Sequence, residues 1–239
     1  MKILFHGCSI TWGDELEDRE NERYSKLVSD KFDTKENNIA LCGNSNDRIV
    51  RETIEYLKTS KVDVVVMQFT VHSRMEWFDK QGFPHKFTPQ LTTTHGKLKL
   101  KGNPMSDELR ERLHSAGKWF YRFVYNDILG VENMWKNMVF FDSYCKANNI
   151  TFIPLLADHF AEPIRRPEKF YHEANGTGWW KPLYQGLPIT YIHEDIIGHK
   201  KDGIGDHYYG EYHAEGNHPN ALGHQKISEK VIELSLIHI

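Results

Sequence analysis

The run Val64-Val65-Val66-Met67, inside an apolar stretch from Val62 to Phe69, constrains the fold more than any other feature of this 239-residue chain. Three consecutive β-branched residues favour an extended strand, and the absence of polar alternation means that both of its faces are buried. Such a strand belongs in the middle of a parallel sheet with helices on either side. The sequence before it supplies those helices. Tyr24, Leu27, Val28 and Phe32 fall near helical spacing, and Val50, Ile54 and Leu57 mark a second helix ending near Ser60. Lys2 to Phe5 and Asn38 to Cys42 read as two more strands. Alternation of strand and helix up to Phe69 predicts an α/β chain with right-handed crossovers.

Further along, Val71 to about Leu129 reads as an insertion, loop-like from Gln81 to Lys101 and helical from Met105 to Val124. A helix over Val131 to Asn148, with Met134, Met138, Phe141 and Cys145 on one face, leads into a buried strand over Ile150 to Leu156. Glu162 to His199 is irregular and aromatic-rich, with a fifth strand around Leu187 to Ile192; the last helix starts near Asn220. One domain spanning 1–239, with insertions at about 71–129 and 162–199, is the expectation.

Composition excludes several function classes. Thirty basic against 33 acidic residues give a net charge of −3, too balanced for a protein dedicated to neutralising nucleic-acid phosphates. Three cysteines (Cys8, Cys42, Cys145) are too few, and odd in number, for a disulfide framework; they suit a reducing, cytoplasmic setting. No apolar run approaches a membrane span, and no signal-peptide pattern opens the chain. No Gly-x-Gly-x-x-Gly follows the first strand and no Walker lysine is present, so no nucleotide cofactor is expected.

The chemistry concentrates at the two ends. Phe5-His6-Gly7-Cys8-Ser9-Ile10-Thr11-Trp12-Gly13 ends a strand in a glycine turn, placing Ser9 at the carboxyl edge of the sheet, where open α/β folds bind ligands. Near the other end, Glu215-Gly216-Asn217-His218-Pro219-Asn220-Ala221-Leu222-Gly223-His224 runs into an amphipathic helix. Together these blocks, with Gly43-Asn44-Ser45-Asn46 between them, resemble the SGNH (GDSL-type) hydrolases. Cys8 stands where that family has Asp in its first block, and Glu215 where it has Asp in its last.

The resemblance implies a three-layer α/β sandwich with a mostly parallel, flavodoxin-like sheet. It also implies a serine esterase needing no cofactor, with Ser9 as nucleophile, His218 as base and Glu215 holding the imidazole. The backbone N–H groups of Ser9 and Gly43 would stabilise the oxyanion. The family's third donor, an Asn in a Gly-x-Asn-Asp block, is missing; Thr70, His72 and Ser73 fall near its place and spacing does not choose between them. Arg74 and Glu76 read equally well as a local ion pair, and Asp202 and Asp206 compete with Glu215. His224 and Asn220 read as packing and capping residues, and Cys8 as packing inward.

Asp206, His207, Glu211, His213 and His218 lack metal-ligand spacing, so no metal site is expected. Hydrolysis of an ester, an O-acyl group on a carbohydrate or small molecule, is the leading reading. The alternative is a non-catalytic carbohydrate- or anion-binding module on the same fold. Phe170, Tyr171, Trp179, Trp180, Tyr184 and Tyr191 would then stack on sugar rings, or form a small core of their own.

Overall fold

The structure is a computed structural model and describes residues 1–80, 82, 84–89, 107–157, 187–197, 200–201, 208–209, 211–215 and 218–237. In chain order its main elements are β1 (Ile3–His6), α1 (Ser9–Trp12), α2 (Arg19–Glu22), α3 (Tyr24–Lys31), α4 (Asn46–Thr59) and β2 (Val64–Phe69). Then come β3 (Met75–Phe78), β4 (Pro84–Phe87), α5 (Asp107–Phe123), α6 (Asp127–Ala147), β5 (Thr151–Leu156), β6 (Thr190–Tyr191) and α7 (Ala221–Ile237).

β2 lies inside a four-stranded sheet of order β1-β2-β5-β6, and every pairing in it is parallel. All six of its residues are buried, as the unbroken apolar run requires. Alternation along the strands divides the core in two. Leu4, Val65, Met67 and Phe69 face Ile49 and Val50 of α4 and Met134, Met138 and Phe141 of α6. Ile3, Phe5, Val64, Val66, Ile153 and Leu155 face the other way, onto Tyr24 and Val28 of α3 and Ile227 and Val231 of α7. This is the helix–sheet–helix sandwich expected, with the side chains of each strand divided between two helical layers.

The strand expected over Asn38 to Cys42 is reduced to a single parallel bridge between Asn38 and Phe5. Asn38 spends its side chain locally: its amide donates to Thr11 O (2.7 Å) and Ser25 Oγ (2.8 Å), while its Oδ1 accepts from Ala40 N (2.9 Å). Those bonds favour an irregular path over a continued ladder. The insertion holds a hairpin that sequence did not indicate, β3 against β4, secured by Trp77 against Phe87 and Phe120 at ring-centroid distances of 5.1 and 5.2 Å. α6 begins four residues before Val131, because Asn126 caps it by accepting from Leu129 N (2.9 Å). Among the described residues, no helix is long and apolar enough to cross a membrane.

Adjacent phenylalanines on α6 give a direct test of the layering. Phe141 is fully buried and Phe140 is 55% exposed. Phe141→Ala is expected to destabilise by about 3–5 kcal/mol and Phe140→Ala by about 0.5 kcal/mol or less, measured by denaturant unfolding.

Candidate active site

The turn after β1 can form only because residue 7 is glycine. A Cβ there would collide with Thr11 Oγ1 and with the side chain of Gln68. The chain then winds one helical turn, with Trp12 N donating to Cys8 O (2.9 Å) and Gly13 N to Ser9 O (2.9 Å). Gly13 ends that turn at φ 84°, a left-handed conformation that glycine adopts without strain. Ser9 therefore sits at the first position of α1, buried to 8% exposure. Among the described residues, neither its N–H nor that of Gly43 has a protein acceptor.

Gln68, near the end of β2, anchors the turn. Its Oε1 accepts from Cys8 N (3.0 Å), Thr11 N (3.3 Å) and Thr11 Oγ1 (3.0 Å). Its amide donates to Cys8 Sγ (3.2 Å) and Phe69 O (3.1 Å). Cys8 points inward, as expected, and its Sγ lies 3.3 Å from Thr70 Oγ1 and 3.6 Å from Ser9 Oγ. Burial pushes its pKa up, but the Arg74 charge and hydrogen bonds with Thr70, Gln68 and Ser9 outweigh it and leave the thiol below its ordinary range.

Two asparagines tie the Gly43 loop to the strand ends. Asn44 donates to Gly7 O (3.1 Å), and Asn46 clamps the Thr70 backbone, accepting from its N–H (2.8 Å) and donating to its C=O (3.1 Å). Between them Ser45 caps α4 by accepting from Arg48 N (3.3 Å).

Thr70, His72 and Ser73 have different surroundings. Thr70 Oγ1 lies 3.3 Å from Cys8 Sγ and accepts from Arg74 Nη1 (3.0 Å). His72 Nε2 faces Asp127 Oδ1 at 3.4 Å; burial lowers its pKa although Asp127 opposes the shift. His72 and Ser73 line a cavity of about 740 Å³ with Lys118, Tyr121, Arg122 and Tyr125. The local Arg74–Glu76 pair does not form. Glu76 is held instead by Arg51, at 2.7 and 2.9 Å, which leaves Arg74 for Thr70.

His218 precedes α7, whose N-terminus is capped by Asn220 Oδ1 accepting from Gly223 N (3.0 Å). Its Nδ1 lies 3.1 Å from Glu15 Oε2, and the same oxygen accepts from the His218 backbone N–H at 3.2 Å. Glu215 is not at the imidazole, contrary to the sequence expectation. Ala214 N donates to His218 O (2.8 Å), His213 bridges Pro219, and Glu215 is exposed. The loops carrying Ser9 and His218 are thus brought together through Glu15. No hydrogen bond joins Ser9 Oγ to the imidazole among the described residues.

His224 packs, as expected: it stacks on Tyr24 with centroids 5.9 Å apart, and its Nδ1 accepts from Tyr24 N (3.1 Å). Of the residues considered for a metal, Asp206 and His207 lie outside the described residues, and His213 Nε2 lies 3.2 Å from His193 Nδ1. Among the described residues, no group of three or more His, Cys, Asp or Glu is placed to hold a metal. Asp202 and the aromatics from Phe170 to Tyr184 lie outside the described residues; Tyr191 belongs to β6.

Comparison with known proteins identifies the fold. No family model and no curated protein sequence matches the chain. Solved structures do. The structure of TesA has a TM-score of 0.52 at 13% identity, covering 100% of both chains. A structure from Desulfitobacterium hafniense DCB-2, described as a lipolytic protein of the G-D-S-L family, has 0.51 at 11% identity, covering 98% of both. A carbohydrate esterase family 2 enzyme with its carbohydrate binding domain, from Corynascus thermopiles (Myceliophthora fergusii), has 0.50 at 12% identity, covering 99% of this chain and 65% of that one.

Two buried histidines give the fold a pH dependence. Burial is the main reason that His6 and His224 are both pushed down to about 3; Arg48 adds to it at His6, and His218 at His224. Their unfolded-state pKa is about 6.5, so between roughly pH 6.5 and 3 the unfolded chain binds more protons than the folded one. Stability is full above pH 6.5 and falls as pH drops, by up to about 1.4 kcal/mol per pH unit for each histidine. Denaturant midpoints at pH 7 and pH 5 are expected to show this loss, and His6→Asn, if it folds, to flatten the slope.

Proposed function

We propose that this chain, which has the SGNH hydrolase fold, is a carboxylic ester hydrolase acting through Ser9 and His218. A serine hydroxyl is a weak nucleophile and needs a base. His218 Nε2 takes the Ser9 proton as Oγ adds to the ester carbonyl, then delivers it to the departing alcohol. Water, deprotonated by the same nitrogen, releases the acid from the acyl-serine and restores the Ser9 hydroxyl. The negative charge on the former carbonyl oxygen is met by the N–H groups of Ser9 and Gly43.

Thr70 supplies the third donor in this reading. Its Oγ1 accepts from Arg74 Nη1 and from the Cys8 thiol, so that, while the thiol is protonated, its own proton is directed at the oxyanion. The observation that carries the proposal is the Glu15–His218 contact, because it ties the base's loop to the nucleophile's own loop. A tighter Ser9–His218 approach is expected with substrate bound, since catalytic hydrogen bonds often lengthen in unliganded enzymes.

The substrate is an O-acylated carbohydrate or small molecule, with the cavity at Tyr121 and Tyr125 receiving part of it. A carbohydrate esterase among the structural neighbours agrees with that choice. The reaction needs no metal or cofactor. The three unpaired cysteines suit a reducing compartment, the cytoplasm. A binding module on the same fold is the competing reading, favoured by the missing Gly-x-Asn-Asp block.

Short activated acyl esters are expected to be hydrolysed by the wild type with or without chelator, and not by Ser9→Ala. Full activity in Ser9→Ala would overturn the assignment. Thr70→Val is expected to lower kcat roughly 10²–10³-fold with little change in KM, and Ser73→Ala to cost far less.

A further inference from the structure

We infer that Glu15, six residues after the nucleophile, is the carboxylate that positions His218, in the place that sequence spacing gives to Glu215. The inference rests on the Ser9–His218 reading and adds the group that aims the base.

Three observations lead to it. One oxygen, Glu15 Oε2, accepts from both the backbone N–H (3.2 Å) and Nδ1 (3.1 Å) of His218. Two bonds from one residue to one oxygen fix the ring relative to its own backbone. They also place the proton on Nδ1 and leave Nε2 as the basic nitrogen, the tautomer a serine's base must have.

The backbone of Glu15 points the same way. Its φ is 68°, a left-handed conformation that costs a non-glycine residue roughly 1–2 kcal/mol. Glycine or asparagine would serve a mere turn better. Gly13, two residues earlier, is also left-handed, at φ 84°. The acidic side chain then returns to His218 across a sequence separation of 203 residues.

The third observation is the position of the competitors. Among the described residues, Glu215 is exposed and makes no hydrogen bond to the imidazole; Asp202 and Asp206 lie outside them. The Glu15 and His218 side chains are themselves 32% and 25% exposed. A pair that wet contributes little to folding. Its consequence lies in the orientation of the ring.

The test compares Glu15→Gln with Glu215→Gln and reads three quantities. Turnover should fall in Glu15→Gln by somewhere between 10-fold and 10⁴-fold, with KM little changed, because a glutamine amide can donate to Nδ1 and select the wrong tautomer. The loss should exceed that in Glu215→Gln at least 10-fold. Thermal stability should move little, whereas a merely structural residue would show its effect there.

Nitrogen NMR of His218, at a pH where the ring is neutral, should find the proton on Nδ1 in the wild type and on Nε2 in Glu15→Gln. That signature does not depend on catalysis. If no ester is hydrolysed, the esterase reading fails and the tautomer still decides the role of Glu15. A wild-type proton on Nε2, or the larger kcat loss in Glu215→Gln, would overturn the inference.

Discussion

The Cys8–Thr11 turn at the carboxyl edge of the sheet is held by one buried amide, the side chain of Gln68. It accepts three hydrogen bonds from the Cys8–Thr11 turn and donates two, to Cys8 Sγ and Phe69 O. Leaving a buried polar group unpaired costs about 1–3 kcal/mol, so a turn that broke this set would be penalised more than once. The turn is therefore docked on the end of β2 in one orientation. Ser9 and its N–H inherit that orientation. Gly7 completes the arrangement, since any side chain there would displace Gln68.

The same economy extends outwards. Asn46 fixes the Thr70 backbone at both its N–H and its C=O, and Asn44 fixes Gly7 O. The ends of β1 and β2 and the loop before α4 thus form one hydrogen-bonded unit. Cys8 completes it with a soft thiol that touches Gln68, Thr70 and Ser9. Arg74 reaches Thr70 because Arg51 has already taken Glu76.

The fold was legible where one kind of interaction dominated. Burial on both faces fixes β2, and the stripe Met134, Met138, Phe141 and Cys145 fixes the buried side of α6. Sequence was misleading where local polar bonds competed, as at Asn38, whose side chain replaces a strand ladder. It was silent where partners are far apart. Glu15 sits in an acidic run, Asp14 to Asp18, that reads as a solvated surface, and nothing local links it to His218. Glu215 attracted the orienting role because it lies three residues before the histidine. The backbone bond from Ala214 to His218 and the bridge between His213 and Pro219 are ones that side-chain spacing does not register. Ser9, His218 and Gly43 were named from their motif blocks; the bonds made by Gln68, Asn46 and Thr70 are visible only in the structure.

The central claim is that Ser9 is a nucleophile activated by His218. It is tested most directly by a fluorophosphonate probe, which an activated serine attacks at phosphorus with loss of fluoride. Peptide mass spectrometry of the labelled protein is expected to find one adduct, on Ser9, formed much more slowly in His218→Ala and absent in Ser9→Ala. No adduct on the folded wild type, or an adduct on another residue with Ser9 untouched, would contradict the account.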